Sequence, residues 1–314
     1  MCIRDRFRGD PKLFAPGVAF LEKRTRKPCL GVIPYLPDLG LDEEDGVALA
    51  RRAPAWPDDG GRHRRLRIAV VHLPRISNFT DFAPLDAEPS VALAFAGRPA
   101  DLRGADVVIL PGTKQTLDDL EWLRGTGLAR AIGAHAKKGP VIGICGGMQM
   151  LGASVADPHA MEGGGRRQGL GLLPIRTTLD RTKVTRRATA TLRQPKLFGR
   201  RCAAAARGYE IHLGSTRYDA GAGPLLRLRR EGDTEDVADG AADAAGRVIG
   251  TYMHGFFDDD GFRHEVVRAL RAAAGLAAPR ALSPYTADRE ARFDRLARHV
   301  RRSLDVRTIE SWLR

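Results

Sequence analysis

The chain has 314 residues, of which 43% are hydrophobic, so it can bury at least one full core and is not a wholly disordered protein. Its length corresponds to about two domains. The formal net charge of +13 comes almost entirely from arginine, because only eight of the 51 basic residues are lysine. Such usage, together with abundant alanine and glycine, is typical of a GC-rich coding sequence. No zinc-finger, RNP or helix-turn-helix pattern supports a nucleic-acid partner.

The sequence also lacks the patterns of membrane, secreted, disulfide-bonded and metal-binding proteins. No apolar run approaches the ~20 residues of a membrane-spanning helix, and the charged N-terminus lacks the apolar core of a signal peptide, so we expect a cytoplasmic protein without a membrane partner. The four cysteines include no CxxC pair, which predicts free thiols. A metal site is not expected, since Arg268 stands where a zinc-protease helix beginning at His264 would need a second histidine.

Residues 1–50 contain one helical pattern, at 16–24, and one short apolar strand, at 29–34. A helix and a strand cannot cover both faces of a sheet, so this segment is expected to be the C-terminal remnant of a larger domain. Residues 51–66 are rich in arginine, proline and glycine and have the composition of a linker. Residues 276–314 are predicted to form a C-terminal helical extension.

Residues 67–275 alternate short apolar strands with helices, which is typical of an α/β domain with a parallel sheet covered on both faces. The first predicted elements are strands at 67–73, 105–110 and 140–145 and helices at 116–123 and 128–138. Strands with few helices between them follow, so part of the sheet is expected to be antiparallel. Their predicted bounds are 172–179, 183–192, 209–213, 224–228 and 248–252, and later helices are predicted at 261–274 and 289–304.

The stretch Gly143-Ile-Cys145-Gly-Gly147 predicts a reactive cysteine. A buried strand runs through this pattern directly into a helix, as in the nucleophile elbow of α/β hydrolases. The small residues allow the tight turn, and the N-terminus of the following helix favours a thiolate. The alternative is that Cys145 is a small buried residue that ends a core strand.

Two further segments complete an acyl-transfer site around this cysteine. The strand at 105–110 closes in Pro-Gly112, whose backbone N–H would form an oxyanion hole together with that of Gly146. The strand at 248–252 leads to His254, whose imidazole can take the thiol proton and return it to the leaving group. Each segment alone also fits an ordinary turn or a structural histidine. Together they predict a Cys–His site.

These motifs closely resemble those of the cobyric acid synthase family of cobalamin biosynthesis. The resemblance extends from residue 7 to the C-terminus. It is carried by Gly-Ile-Cys145-Gly-Gly-Met-Gln-Met-Leu-Gly, Leu-Pro-Gly112-Thr-Lys, Gly208-Tyr-Glu-Ile-His-Leu-Gly, Gly-Thr-Tyr-Met-His254-Gly-Phe-Phe and, upstream, Gly31-Val-Ile-Pro-Tyr-Leu-Pro-Asp-Leu-Gly.

The resemblance implies a class I glutamine amidotransferase fold, which is a three-layer α/β sandwich with a mixed sheet, behind a remnant of a P-loop, dethiobiotin-synthetase-like domain. It implies that Cys145 attacks the amide of glutamine and that His254 is the base. It also implies that Gly112 and Gly146 form the oxyanion hole and that Gln149 helps to place the glutamine. The ammonia would then amidate side-chain carboxylates of adenosylcobyrinic acid a,c-diamide, activated as acyl phosphates by ATP and Mg²⁺.

The chain departs from the family pattern at two points. Phe256 stands where many class I amidotransferases carry an acid, two residues after the histidine. The group that orients the imidazole therefore stays open between Glu210, one of the aspartates at 258–260 and a backbone carbonyl. No GxxxxGK[ST] phosphate loop occurs in the sequence. No cofactor is therefore expected in this chain, and ATP and Mg²⁺ are expected to belong to the complete enzyme with its N-terminal synthetase domain.

Two other functions remain open at this point. The chain could be a sibling amidotransferase, either the one that makes the a,c-diamide or one that partners a Mur-ligase-like protein. It could also be a non-catalytic scaffold whose arginine-rich surface binds a corrinoid or another anion. The segment upstream of residue 51 and the run that follows Lys114 favour the cobyric acid enzyme over its siblings.

Overall fold

The computed structural model describes residues 10–40, 56 and 59–312. The chain divides into two compact units, one formed by Met1–Asp42 with Thr286–Arg314 and the other by Glu43–Tyr285. Seven residues of the predicted linker, 51–55, 57 and 58, lie outside the described residues. Within the described part of the chain, no helix combines the length and the apolar character that crossing a bilayer requires.

The described helices and strands are numbered in chain order. The helices are α1 (Ala15–Thr25), α2 (Ala83–Asp86), α3 (Thr116–Gly125), α4 (Leu128–Ala136), α5 (Gly146–Leu151), α6 (Asp260–Ala273), α7 (Tyr285–Ser303) and α8 (Val306–Ser311). The strands are β1 (Leu66–Val71), β2 (Val91–Ala96), β3 (Val107–Leu110), β4 (Val141–Ile144), β5 (Ser154–Asp157), β6 (Gly165–Gln168), β7 (Ile175–Leu192), β8 (Lys196–Leu197), β9 (Arg200–Arg201), β10 (Ala206–Tyr218), β11 (Leu226–Arg230), β12 (Asp236–Asp239), β13 (Ala241–Ala242), β14 (Val248–Thr251) and β15 (Met253–His254).

The smaller unit is built from helices. The strand predicted at 29–34 is not formed, and its residues make isolated bridges instead, as between Gly31 and Leu304. The backbone here is held by side chains of α7, as where His299 Nε2 lies 2.8 Å from the carbonyl oxygen of Pro34. The N-terminal segment and the C-terminal helices, predicted as separate parts, therefore lie in one unit.

A six-stranded sheet forms the centre of the larger unit, in the order β13-β14-β4-β3-β1-β2. All neighbours are parallel except β13, which is antiparallel to β14, so the sheet is mixed as predicted. Every residue of β3, β4 and β14 is buried, which explains why these strands are continuous apolar runs. The carboxyl ends of these three parallel strands lie at the same edge of the sheet.

A second, mainly antiparallel sheet has the order β12-β11-β7-β10-β15, with β5 and β6 attached beside β7. The two strands predicted at 172–179 and 183–192 form one 18-residue strand, β7, which pairs with β10 along most of its length. Only Tyr252 separates β14 of the first sheet from β15 of the second. The chain thus passes from one sheet to the other immediately before His254.

Candidate active site

Cys145 lies at a sharp turn between β4 and α5. Its backbone has φ 51° and ψ −114°, a strained conformation for a residue with a side chain. The turn requires glycine at position 147, because a Cβ there would lie 1.9 Å from the carbonyl oxygen of Leu110. The N–H of Cys145 donates to the carbonyl oxygen of Thr251, 2.8 Å away, which ties the turn to β14. The sharp turn predicted from the sequence is therefore present.

The side chain of His254 is buried and held from three sides. Its Nδ1 lies 2.7 Å from Oδ2 of Asp81, and its ring stacks on Tyr209 at a centroid distance of 5.4 Å. Its Cε1 and the Cβ of Cys145 both lie within 4 Å of the point that a Cβ on Gly112 would occupy, and the thiol donates to the carbonyl oxygen of Ile211 at 3.5 Å. Burial by itself would lower the pKa of His254, but the hydrogen bond to Asp81 and the neighbouring Cys145 outweigh burial and raise the pKa to about 10. The structure thus brings the two predicted catalytic side chains together.

Asp81 is the residue that the sequence analysis missed. It lies in a short 3₁₀ turn, Phe79–Phe82, and is almost fully buried. Its Oδ2 faces His254, and its Oδ1 accepts the backbone N–H of Gly255 at 3.0 Å. A distance of 173 residues along the chain separates it from His254, and no local pattern links the two. The sequence offered one signal for Asp81. It is an acidic residue in the loop after β1, and this loop lies at the edge of the sheet where Cys145 and His254 meet.

The prediction that Glu210 orients His254 is corrected by this geometry. In the ladder of β10 and β15, Tyr209 is paired with His254. Since successive side chains of a strand point to opposite faces, Glu210 points away from the imidazole of His254. Its Oε2 instead accepts from Nε of Arg230 at 2.6 Å. Burial alone would raise the pKa of Glu210, but its hydrogen bonds to His212 and Arg230 lower the pKa below the usual value.

Two of the three aspartates considered for this position are engaged elsewhere. Asp259 caps α6 by accepting the N–H of Phe262 at 3.2 Å. Asp260 lies 2.7 Å from the guanidinium of Arg263. Neither is the carboxylate that binds His254, which is Asp81.

The two glycines predicted for an oxyanion hole both lie beside the thiol. A Cβ on Gly112 would lie 3.2 Å from Cε1 of His254 and 3.7 Å from Cβ of Cys145, so a side chain at this position would crowd the imidazole. Gly146 begins α5, where backbone N–H groups lack partners within the helix. Within the described part of the chain, neither N–H donates to an acceptor. Their role as oxyanion donors remains a prediction.

Gln149 is buried at the next turn of α5 and takes part in a hydrogen-bond network. Its Nε2 donates to the carbonyl oxygen of Leu213 at 2.9 Å and to the hydroxyl of Tyr252 at 3.2 Å. Its Oε1 accepts from Oγ1 of Thr116 at 3.2 Å. The amide is thus fixed by protein groups on the wall of the site, and a direct contact with substrate remains a prediction.

A cavity of about 370 Å³ opens over these residues, within the usual range for a small-molecule site. It is lined by Ser77, Asn78, Thr113, Lys114, Thr116, Cys145, Gly146, Gln149, Glu162, Lys183, Ile211, His212, Leu213 and His254. A larger cavity of about 630 Å³ elsewhere contains none of the predicted site residues. Among the residues that the structure describes, no group of three or more His, Cys, Asp or Glu side chains could hold a metal ion.

The family model of the CobB/CobQ-like glutamine amidotransferase domain matches residues 67–262. The chain belongs to this family. A cobyric acid synthase from Sorangium cellulosum is 44% identical over 319 residues, covering 96% of this chain and 60% of that protein. One from Syntrophobacter fumaroxidans is 43% identical over 312 residues, covering 98% of this chain and 60% of that protein. The amidotransferase chain thus spans about 60% of the length of these curated relatives.

The part of this amidotransferase that matches the family model contains the whole candidate site. Asp81, Cys145 and His254 all lie between residues 67 and 262, as do both oxyanion glycines. The α/β class predicted from the sequence is confirmed by the mixed sheet and the helices of the larger unit, and the family resemblance is confirmed by these matches.

Proposed function

We propose that the chain is the glutaminase part of a cobyric acid synthase. It would hydrolyse glutamine and release ammonia for amidation of carboxylate side chains on adenosylcobyrinic acid a,c-diamide. The observation that carries the proposal is the arrangement of Cys145, strained at its turn, beside an imidazole that Asp81 holds from behind. The names of the relatives support the choice of corrinoid over the acceptors of sibling enzymes.

The first half of the reaction forms a thioester. The proton of the Cys145 thiol passes to Nε2 of His254, which the raised pKa of that imidazole favours, and Sγ then attacks the amide carbon of glutamine. The negative charge on the amide oxygen is stabilised by the N–H groups of Gly112 and Gly146. When the C–N bond breaks, His254 returns the proton to the leaving nitrogen, and ammonia departs.

The second half releases glutamate. Water attacks the thioester carbon and gives a proton to His254, and the same two N–H groups stabilise the oxyanion. As the C–S bond breaks, the proton passes to the sulfur and the thiol of Cys145 is restored. One water is consumed, and one glutamate and one ammonia leave.

Asp81 positions the base through both halves. A carboxylate at Nδ1 keeps the proton of the neutral imidazole on that nitrogen, which leaves Nε2 free to face the sulfur. It also stabilises the imidazolium that forms twice in each cycle. Its second oxygen is fixed by the N–H of Gly255, so the carboxylate cannot rotate without losing that hydrogen bond.

Activation of the corrinoid carboxylates by ATP and Mg²⁺ is proposed for the part of the enzyme that the relatives carry beyond this chain's 60%. The sequence contains no phosphate loop of the form GxxxxGK[ST], and the described residues include no group of three or more His, Cys, Asp or Glu side chains that could hold a metal ion. No step of the glutaminase reaction above depends on these groups.

The proposal is tested by Cys145→Ala in an assay of ammonia release from glutamine. We expect activity to fall by at least roughly 10³-fold, because no other group can form the thioester. Cys29→Ala is the matched control, since this free cysteine lies in the smaller unit, and it should keep full activity. A Cys145→Ala protein as active as the parent, with the same circular dichroism, would contradict the proposal.

A further inference from the structure

Tyr209 lies against the imidazole of the base, and the thioester mechanism above does not use it. Its ring stacks on that of His254 at a centroid distance of 5.4 Å, with an angle of 18° between the two ring planes. This spacing is within the range of an offset aromatic stack. The side chain of Tyr209 is half-buried, and it is not among those that line the cavity over Cys145. It therefore contacts the base without bordering the space in which glutamine would react.

The pairing of β10 with β15 produces this contact. Tyr209 stands directly opposite His254 in the ladder, and the side chains of such a pair lie on the same face of the sheet. Position 208 must be glycine for the two strands to approach, because a Cβ on Gly208 would lie 2.0 Å from the carbonyl oxygen of His254. The backbone of the sheet thus places the ring against the imidazole.

The hydroxyl of Tyr209 is anchored by Asn78, which immediately precedes the 3₁₀ turn that carries Asp81. Nδ2 of Asn78 donates to this hydroxyl at 2.7 Å. The carbonyl oxygen of Asn78 accepts the N–H of Asp81 at 2.9 Å. Asn78 thus binds both residues that hold His254, the acid at the edge of its imidazole and the aromatic ring on its face.

A stacked ring can restrict a motion that the carboxylate leaves open. The hydrogen bond between Nδ1 and Asp81 allows the imidazole to tilt about that contact. A parallel ring on its face opposes this tilt, which would turn Nε2 away from the thiol. The face of an aromatic ring also attracts a cation within about 6 Å of its centroid, so Tyr209 favours the imidazolium that forms in both halves of the reaction. Loss of the ring should therefore slow the steps in which His254 takes and returns a proton.

We infer that Tyr209 is a positioning residue for this reaction, whose ring, anchored by Asn78, keeps the imidazole of His254 aligned with the thiol of Cys145. It acts through His254 and touches neither the substrate nor the reacting sulfur. This inference rests on the proposed function, since it concerns the base of the same site.

The first test compares two substitutions of Tyr209 by steady-state ammonia release per folded molecule. Tyr209→Leu removes the ring and the hydroxyl, and we expect kcat to fall about 10²-fold, the usual cost of a misplaced catalytic group. The KM for glutamine should stay within about twofold, because the interaction is made with the base and not with the substrate. Tyr209→Phe keeps the ring and should restore kcat to within about tenfold of the parent, since it lacks only one hydrogen bond.

The matched control is Tyr218→Phe, the same substitution on the same strand. The hydroxyl of Tyr218 donates to the carbonyl oxygen of Gly240 at 2.9 Å, and neither residue lines the cavity over Cys145. Its loss should leave kcat unchanged. A fall in kcat equal to that of Tyr209→Phe would overturn the inference, as would a Tyr209→Leu protein that keeps the parent's kcat or changes only KM.

A double-mutant cycle tests whether Asn78 acts through Tyr209. Asn78→Gly removes the amide and suits the left-handed backbone at this position, which has φ 52° and ψ 38°. We expect kcat of Asn78→Gly to match that of Tyr209→Phe, and the double variant to be no slower than either one. If Tyr209→Leu does not fold, this cycle decides alone, and losses that add in the double variant overturn the inference.

A second measurement does not depend on glutamine. Iodoacetamide alkylates a cysteine as its thiolate, and mass spectrometry of the peptide that contains Cys145 gives the rate at neutral pH. We expect Tyr209→Leu to slow this reaction about tenfold, because a misaligned imidazole pairs less well with the thiolate. Tyr218→Phe should not change it.

The two proposals fail separately in these experiments. If alkylation of Cys145 depends on Tyr209 but the parent releases no ammonia from glutamine, the proposed function fails and the positioning role stands. If ammonia release by the parent is normal and Tyr209→Leu changes neither kcat nor the alkylation rate, the positioning role fails and the proposed function stands.

Discussion

Two buried acid–base pairs in the larger unit have opposite properties, Asp81 with His254 and Glu88 with Arg263. In each, a carboxylate from the segment between β1 and β2 binds a cationic group close to the start of α6, at 2.7 Å. All four side chains are buried. The two pairs therefore come from the same two segments of the chain, and each joins a buried carboxylate to a basic side chain.

The difference lies in what the basic partner has left to bind. Arg263 donates to Glu88, to Asp260 and to the carbonyl oxygens of Phe257 and Ser283, so its guanidinium is satisfied inside the fold. His254 uses only Nδ1 for its carboxylate, and the rest of its ring edge faces Cys145 and a cavity. The Glu88–Arg263 pair is structural because all its hydrogen bonds are made within the fold. The Asp81–His254 pair is reactive because one ring nitrogen of the histidine remains available to the thiol.

The largest expected effect comes from breaking the reactive pair with Asp81→Asn. The amide presents an N–H to the imidazole, which favours the tautomer with its proton on Nε2 and prevents His254 from accepting the thiol proton. We expect kcat for ammonia release to fall by roughly 10⁴-fold, as in other enzymes with a carboxylate-oriented histidine. Steady-state kinetics on folded protein measure it. A loss below about tenfold would show that Asp81 does not position the base.

Breaking the structural pair with Glu88→Ala should affect the fold instead of the chemistry. It removes the fully buried carboxylate that binds Arg263 and leaves only the partly exposed Asp260 beside the guanidinium, and breaking a buried ion pair typically costs about 3–5 kcal/mol. Urea unfolding measures the loss, and ammonia release per folded molecule should change little. Glu121→Ala is the control, because removing an exposed ion pair costs about 0–1 kcal/mol. Equal losses in the two variants would contradict the assignment of Glu88–Arg263 as a structural pair.

Much of the fold and of the candidate site could be predicted from the sequence. The parts that could not be predicted depend on contacts between residues far apart along the chain. Cys145 and His254 were found because each follows an apolar strand, and parallel strands end at one edge. Asp81 was not, because its partner lies 173 residues away. Strand β2 was also missed, since half of its residues are alanine, which favours helices more than strands. Glu210 was misplaced because only the register of β10 against β15 shows which face it occupies.

The contribution of the Asp81–His254 pair to stability should also depend on pH, and this is the smallest of the three effects. The folded chain keeps the proton on His254 up to about pH 10, whereas the unfolded chain loses it near 6.5. The interaction with Asp81 therefore stabilises the fold fully below about pH 6.5, and this contribution is lost as the pH rises through about 10. The difference in unfolding free energy between the parent and Asp81→Asn should shrink by about 1–3 kcal/mol across this range. A difference that grows with pH would contradict the raised pKa.

The hydrogen bond from Cys145 to Thr251 has a consequence for the motions of the site. Thr251 precedes His254 by three positions, so nucleophile and base are both attached to one short piece of backbone. Local fraying of loops around the cavity cannot separate them, since their spacing changes only when the centre of the sheet opens. The amide protons of Cys145 and Thr251 should accordingly be among the slowest to exchange with solvent, and activity during gradual denaturation should disappear together with the sheet rather than before it.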